Sequence, residues 1–511
     1  MGKLLRLLLP MSVGLLLFFA FIHPAPARSA TSASDLFVAA DGSGSACTAS
    51  APCDLTTALS LAHPGDVLYL AGGTYTAPAL GAVATITTRV ELHGGWDGQP
   101  TTPPVVDAEA HPVILDGEGA HRGLFIANAG TVLIEGVNVV NGYLDTTLNT
   151  GAGAGIYAYD TQLLLHNVVI SGNAVNLRNV PASVAYGGGV AIHGGTLAIS
   201  ESSFLRNSVY GNSNSYGGGL YITGTITATL KQTTFDGNDA WHGSALAFDG
   251  GSSTLPLYVG QSTFVNNGTN DSPGTTYGGY GAAFDLTDGN VTVEGCRIEW
   301  NSAYNEGAVA YAYRGRLTMR GNFIRNNKSH GNIFNLTLVN PLRIINNIIA
   351  ENVSLEEGHA TLMLLSVSNG MLVHNTLVHN PGDYGILLNH TTADVINTII
   401  VSHTTGISVT TGSSLDMDGM LWGSGEWANG EDWQADGSVT VGTVSLHADP
   451  RFLKAEEGNY HLTAGSPAID AGVEVNVLDD FDGDRRPLGR TSDIGADEFR
   501  GLYLPLVLRQ G

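Results

Sequence analysis

Eight times between residues 170 and 380 the chain repeats one phrase, an apolar residue followed three positions later by asparagine. The pairs are Ile170 and Asn173, Phe204 and Asn207, Phe235 and Asn238, Phe264 and Asn267, Ile298 and Asn301, Phe323 and Asn326, Ile349 and Asn352, and Leu377 and Asn380. A unit that recurs every 25 to 34 residues cannot bury its apolar face alone and must stack on its neighbours, so the repeat calls for a solenoid. Between Gly187 and Asn207 the apolar residues Val190, Ile192, Leu197 and Ile199 fall at alternate positions in two short runs, with a glycine pair between them. Period two with glycine punctuation predicts short strands joined by tight bends, and helical spacing is absent. Units repeating in one direction pair every strand in parallel. The predicted fold is therefore all-β, a right-handed single-stranded parallel β-helix with Val190, Ile192, Leu197, Ile199 and Phe204 in its core. The recurrent asparagine is expected at a bend, in a left-handed conformation, its amide donating to one neighbouring coil and accepting from the other.

A solenoid grows by adding coils, so the 511 residues count rungs rather than separate cores. Charged residues are only 13% of the chain and glycine occupies 67 positions, which suits stacked strands and turns. The formal net charge of −24 repels nucleic acid and anionic membrane surfaces, leaving neutral glycans, cationic partners and calcium as candidate ligands.

Residues 1–30 read as an export signal: Lys3 and Arg6 precede an apolar stretch from Leu7 to Ile22, and Ala25 to Ala27 supply small residues for cleavage near Ala27 or Ala30. The mature chain is accordingly expected outside the cell, secreted or on the surface, with no transmembrane span after cleavage. That compartment permits Cys47 and Cys53 to pair, while Cys296, on the same strand face as Ile298, is expected to pack inward. Residues 34–110 should hold an N-terminal cap and the first rungs, including a short helix that starts at the N-cap Asp54 and ends at Ala62. Residues 111–411 carry the repeats. Residues 412–500, where the phrase stops and Trp422, Trp427 and Trp433 occur, are expected to close the other end, with a tail at 501–511.

The phrase, preceded by two glycines and an apolar residue, resembles the repeats of the chlamydial polymorphic outer-membrane proteins. The two ends resemble bacterial choice-of-anchor Q domain proteins. On the N-terminal side the likeness lies in Cys47 to Cys53, Gly65 to Leu70, Gly73 to Tyr75, Leu92 to Gly98, Ile114 to Gly117 and Val132 to Gly142. On the C-terminal side it lies in Asp449 to Phe452, Tyr460 to Gly472, Asp482 to Pro487 and Asp493 to Glu498. The resemblance implies a secreted or surface-displayed β-helix and brings no catalytic mechanism with it. The chlamydial proteins continue into a large outer-membrane barrel; 13 residues follow Glu498 here, so autotransport is not expected. Tyr503 to Arg509 is neither a sortase motif nor a long apolar helix with a basic stop.

Pectate-lyase-like solenoids commonly host polysaccharide lyases and hydrolases. The clustered aspartates of an inverting hydrolase, and the base beside a cation that a lyase needs, are not visible as motifs in the repeats. The best constellation is a column before the glycine turns: Tyr186, Tyr216, His242 and Tyr280 hold equivalent places in successive coils, with Glu306 in the next. Stacked at ~4.8 Å per rung, the tyrosines would form a strip suited to sugar faces, with His242 and Glu306 the candidates for acid and base; the bland alternative is tyrosines packing against turns. Asp480, Asp482 and Asp484 superficially resemble a calcium loop, although Thr491 stands where an EF-hand needs glutamate, and pairing with Arg485 or Arg486 is the alternative. No cofactor is required by this reading, and calcium is the one candidate. The expected partner is an extracellular polysaccharide or cell-surface component, bound by an adhesin, a glycan-binding protein or an envelope protein. A polysaccharide lyase or glycoside hydrolase is the alternative. Loops at Leu144 to Thr150, Asn176 to Ala185 and Gly268 to Thr276 are expected to project from the binding face.

Overall fold

A computed structural model describes residues 33–78, 81–145, 150–176, 184–210, 214–251, 255–268 and 279–501. The export signal, the inner parts of the three projecting loops and the tail from residue 502 lie outside these residues. The chain forms a right-handed parallel β-helix. Its strands pair coil on coil: Val190–Ser200 lies between Ile156–His166 and Leu220–Lys231, with Ile192 opposite Ala158 on one side and Ile222 on the other. Each long strand bends midway, where the register shifts between His193 and Gly195. Alternation then sends Val190, Ile192, Leu197 and Ile199 inward, and all four are buried. Phe204, Phe235 and Phe264 stack inside at 4.6 and 4.9 Å. No helix among the described residues is long and apolar enough to cross a membrane.

The asparagines form a buried ladder. Asn207 Nδ2 donates to Asn238 Oδ1 at 3.0 Å and to the Ile170 carbonyl at 2.8 Å, while its Oδ1 accepts from the Asn173 backbone at 3.1 Å and side chain at 2.9 Å. Two details differ from the sequence reading. The left-handed residue is the one before the ladder, for example Arg206, Asn266 and Trp300, which frees the asparagine to point inward. In the sixth pair the ladder residue is Asn327, bonded to Asn352 Oδ1 at 2.8 Å, and not Asn326, which takes the left-handed place. Ile324 pairs with Ile298 and faces the core, so the phrase there runs from Ile324 to Asn327.

At the N-terminal end the helix Leu55–Leu61 buries Leu55 and Ala58 against the first coils, and Asp54 caps it by accepting from Thr57 N at 2.9 Å. Cys47 and Cys53 are joined, with Cα atoms 4.7 Å apart. Cys296 is buried, and burial pushes its thiol up to about 12. The parallel coils continue past residue 411: Glu431–Ala435 pairs with Thr405–Val409, and Ser438–Val441 and Ser445–His447 pair with Ser414–Trp422.

The segment of residues 448–501 does not close the open end. It folds back along the flank, where Tyr460, Leu462, Ala468, Ile494 and Ala496 cover the outward side chains of Ile348, Val378, Ile399, Val401 and Leu421. Polar bonds pin it there: Asn397 Oδ1 accepts from Val473 N at 2.8 Å, and Ala496 N donates to Thr376 Oγ1 at 2.9 Å. Arg486 is buried inside this segment on Glu498 at 2.7 Å, and Glu498 also accepts from Leu488 N and Asp493 N. In the last coil the core-side residues Trp433 and Val441 stay 40% and 45% exposed, since no described residue stacks on them.

Candidate functional site

One lateral face gathers the column read from the sequence. Tyr186 pairs in register with Tyr216, and bridges continue the line through His242 and Tyr280 to Glu306. The rings stack at 5.8 Å between Tyr186 and Tyr216, 4.7 Å between Tyr216 and His242, and 5.2 Å between His242 and Tyr280, within 24° of parallel. A left-handed glycine follows each column residue. At Gly281 (φ +64°) a Cβ would sit 2.3 Å from the Phe284 carbonyl, so only glycine permits a reversal this tight.

That reversal brings a second column against the first, five residues further along each coil: Tyr157, Ala191, Tyr221, Ala247, Asp285 and Tyr311, in register along the outer face of the neighbouring sheet. Each column residue meets the partner of the following coil. Tyr186 lies 4.4 Å from Tyr221 by ring centroid, His242 Nδ1 lies 2.8 Å from Asp285 Oδ2, Tyr280 lies 4.9 Å from Tyr311, and Asn335 Nδ2 donates to Glu306. Sequence reasoning found the first column and missed the second. The constant offset of five was present in the sequence, but its pairing across coils was not.

The chemistry of the face follows from these contacts. The Asp285 carboxylate accepts from His242 Nδ1, which leaves Nε2 outside this pair. Two tyrosine rings cover the faces of that imidazole and hold it in place. The phenols of Tyr216 and Tyr311 stay protonated. Burial, then Asp285, pushes Tyr311 up to about 12, and burial, then Asp285, Tyr186 and Asp249, raises Tyr216. They are therefore hydrogen-bond donors near neutral pH, not bases. The arrangement offers stacked ring edges, hydroxyl donors, the Nε2 side of one imidazole and the half-buried carboxylate of Glu306.

The aspartates read as a calcium loop do not converge. Asp480 Oδ1 accepts from the backbones of Asp482 at 3.0 Å and Asp484 at 2.7 Å, and its Oδ2 accepts from Glu498 N at 2.9 Å, so it shapes the turn. Asp482 pairs with His461 at 2.7 Å and Asp484 with Arg500, rather than with Arg485 or Arg486. His461, Asp482 and Asp497 bring ligand atoms within 4.8 Å of one another, although the ion pair between the first two already satisfies them.

Residues 275–419 match the family model described as the right handed beta helix region. No curated protein matches the chain. Among solved structures the chain is similar to pectate lyase Pel9A, at 14% identity over 91% of this chain and 96% of that one, with a TM-score of 0.34. It is also similar to the Dettilon tailspike protein gp208, at 15% identity over 80% and 68% of the respective chains, with a TM-score of 0.30.

Proposed function

We propose that this chain is an exported glycan-binding protein, secreted or displayed at the cell surface as an adhesin or envelope component, and that the double column is where it holds polysaccharide. The observation that carries the reading is the in-register stack of Tyr186, Tyr216, His242 and Tyr280. Stacked on one another, these rings turn their edges and phenol donors outward at the rung spacing of ~4.8 Å, so the strip offers a line of contacts rather than a point. Retention of the purified protein on a polysaccharide panel tests it. Tyr216→Ala and Tyr280→Ala should each weaken binding about three- to tenfold, the worth of a lost ring contact. Unchanged retention in both variants would return the tyrosines to a packing role.

A second reading, hydrolysis of a glycosidic bond, has one observation in its favour: the His242–Asp285 pair and Glu306 lie on consecutive coils of the same face. Release of reducing ends by the wild type, abolished in Glu306→Gln with binding retained, would establish it.

A further inference from the structure

Arg122 opens the strand Arg122–Glu135 at the N-terminal end of the same face. Its Nε donates to the Gly153 carbonyl at 2.9 Å and its Nη2 to the Ala152 carbonyl at 3.0 Å, both on the next coil. The guanidinium carbon lies 5.8 Å from the Phe125 ring centroid and 5.5 Å from that of Tyr157. Several other arginines of the described residues end on carboxylates, Arg297 on Glu299, Arg314 on Asp288, Arg325 on Glu351 and Arg486 on Glu498, whereas Arg343, like Arg122, is held by carbonyl and amide oxygens. Arg122 is half-buried, and among the described residues no carboxylate lies within ion-pair distance of it. In a chain of net charge −24, a fixed and partly desolvated cation without a counter-charge is unusual.

The guanidinium borders an open groove of about 520 Å³, lined among others by Gly81, Thr85, His121, Phe125 and Leu144. Two of its five N–H groups and both ring contacts are spent on holding it still, which leaves Nη1 and the second N–H of Nη2 as free donors. Side-chain contacts link the groove's wall to the tyrosine strip. Phe125 and Tyr157 are 5.9 Å apart by centroid, and Tyr157 packs on the Ala191 and Tyr221 cluster together with Tyr186 and Tyr216.

We propose that the Arg122 groove is an oxyanion subsite, which takes the carboxylate of a uronic acid or a sulfate ester on the glycan carried by the strip; this rests on the glycan-binding reading above. Further along, the half-buried carboxylate of Glu306 and the chain's net charge of −24 disfavour a run of anions. The polymer that fits both ends is therefore mostly neutral, with an anionic group on a minority of its sugars, and is not a continuous polyuronate.

Calorimetric titration with four oligosaccharides of matched length tests this: unsubstituted xylo-oligosaccharide, the same oligomer bearing one glucuronate, the same bearing one sulfate ester, and oligogalacturonate. The glucuronate or the sulfate form should bind about tenfold more tightly than the neutral one, the worth of one charge-assisted contact, and whichever gains identifies the anion. Oligogalacturonate should bind most weakly. Arg122→Gln should erase the gain. Thr85→Glu, which adds a carboxylate at an exposed position beside Phe125 and leaves the arginine's carbonyl bonds intact, should erase it too. Equal affinity for charged and neutral oligomers, or a gain that survives Thr85→Glu, would overturn the subsite while leaving glycan binding standing. Tightest binding of oligogalacturonate would overturn the mixed-polymer conclusion. Absence of binding to all four, and to the wider panel, would remove the glycan-binding reading and the subsite with it.

Discussion

Asn267 sits in the middle of the ladder and its side chain makes four hydrogen bonds. Nδ2 donates to the Phe235 carbonyl at 3.0 Å and to Asn301 Oδ1 at 2.9 Å, while Oδ1 accepts from Asn238 N and Asn238 Nδ2, both at 3.0 Å. Asn267→Ala removes all four and leaves two donors and two acceptors buried without their partner. At about 1 kcal/mol net for each bond, the cost comes to about 4 kcal/mol. Asn267→Asp is nearly isosteric yet cannot donate, and its charge would sit against two oxygen acceptors, so it should cost at least as much at neutral pH. The neighbouring Asn266 is exposed and left-handed, so Asn266→Gly should stay within about 1 kcal/mol of wild type. Urea unfolding followed by circular dichroism reads all three, with the midpoint shift converted through a common slope. If Asn267→Ala and Asn266→Gly shift the midpoint equally, the ladder is a consequence of stacking and does not hold the coils together.

Other outcomes follow from the same contacts. Burial disfavours the charged form of His93, but Glu135 and Glu91 overcome this and raise it to about 9, above its ordinary 6.5. Its stabilisation, about 3 kcal/mol, should therefore be complete below pH ~6.5 and be lost as pH rises through about 9. His93→Gln should flatten the unfolding midpoint over that interval. Glu498→Gln removes the carboxylate paired with the buried Arg486 and should destabilise the C-terminal segment by about 3 kcal/mol. Limited proteolysis would show cleavage after residue 448 with the coils intact, and equal resistance in wild type and variant would count against the ion pair. Cys296 should resist a thiol-exchange reagent in the native protein and react on unfolding, whereas rapid native labelling would contradict its burial.

Much of the architecture was legible in the sequence because stacking repeats itself. Period-two runs and the asparagine phrase recur, so the strand core, the parallel pairing and the first column of the site could be read without coordinates. So could the capping helix, whose N-cap and first turn are contiguous in the chain. The ambiguity at Asn326 and Asn327 arose because Phe323 and Ile324 both satisfy the phrase. Only pairing of Ile324 with Ile298 decides which of them faces inward.

Tertiary structure alone decided the contacts that run across coils. Asp285 is 43 residues from His242, and no local pattern joins them. The glycine reversal and the rung stagger bring the two together. The placement of the C-terminal segment was also hidden, although a signal existed in Ile348 to Ala350, Leu377 to Val378, Ile399 to Val401 and Met420 to Trp422. Consecutive apolar residues in a strand mean that both faces are buried, and the outer face there is covered by Tyr460, Leu462 and Ile494. Local sequence fixes which residues alternate inward. What lies over the outer face depends on a segment about a hundred residues away in the chain, which only the folded geometry brings into contact.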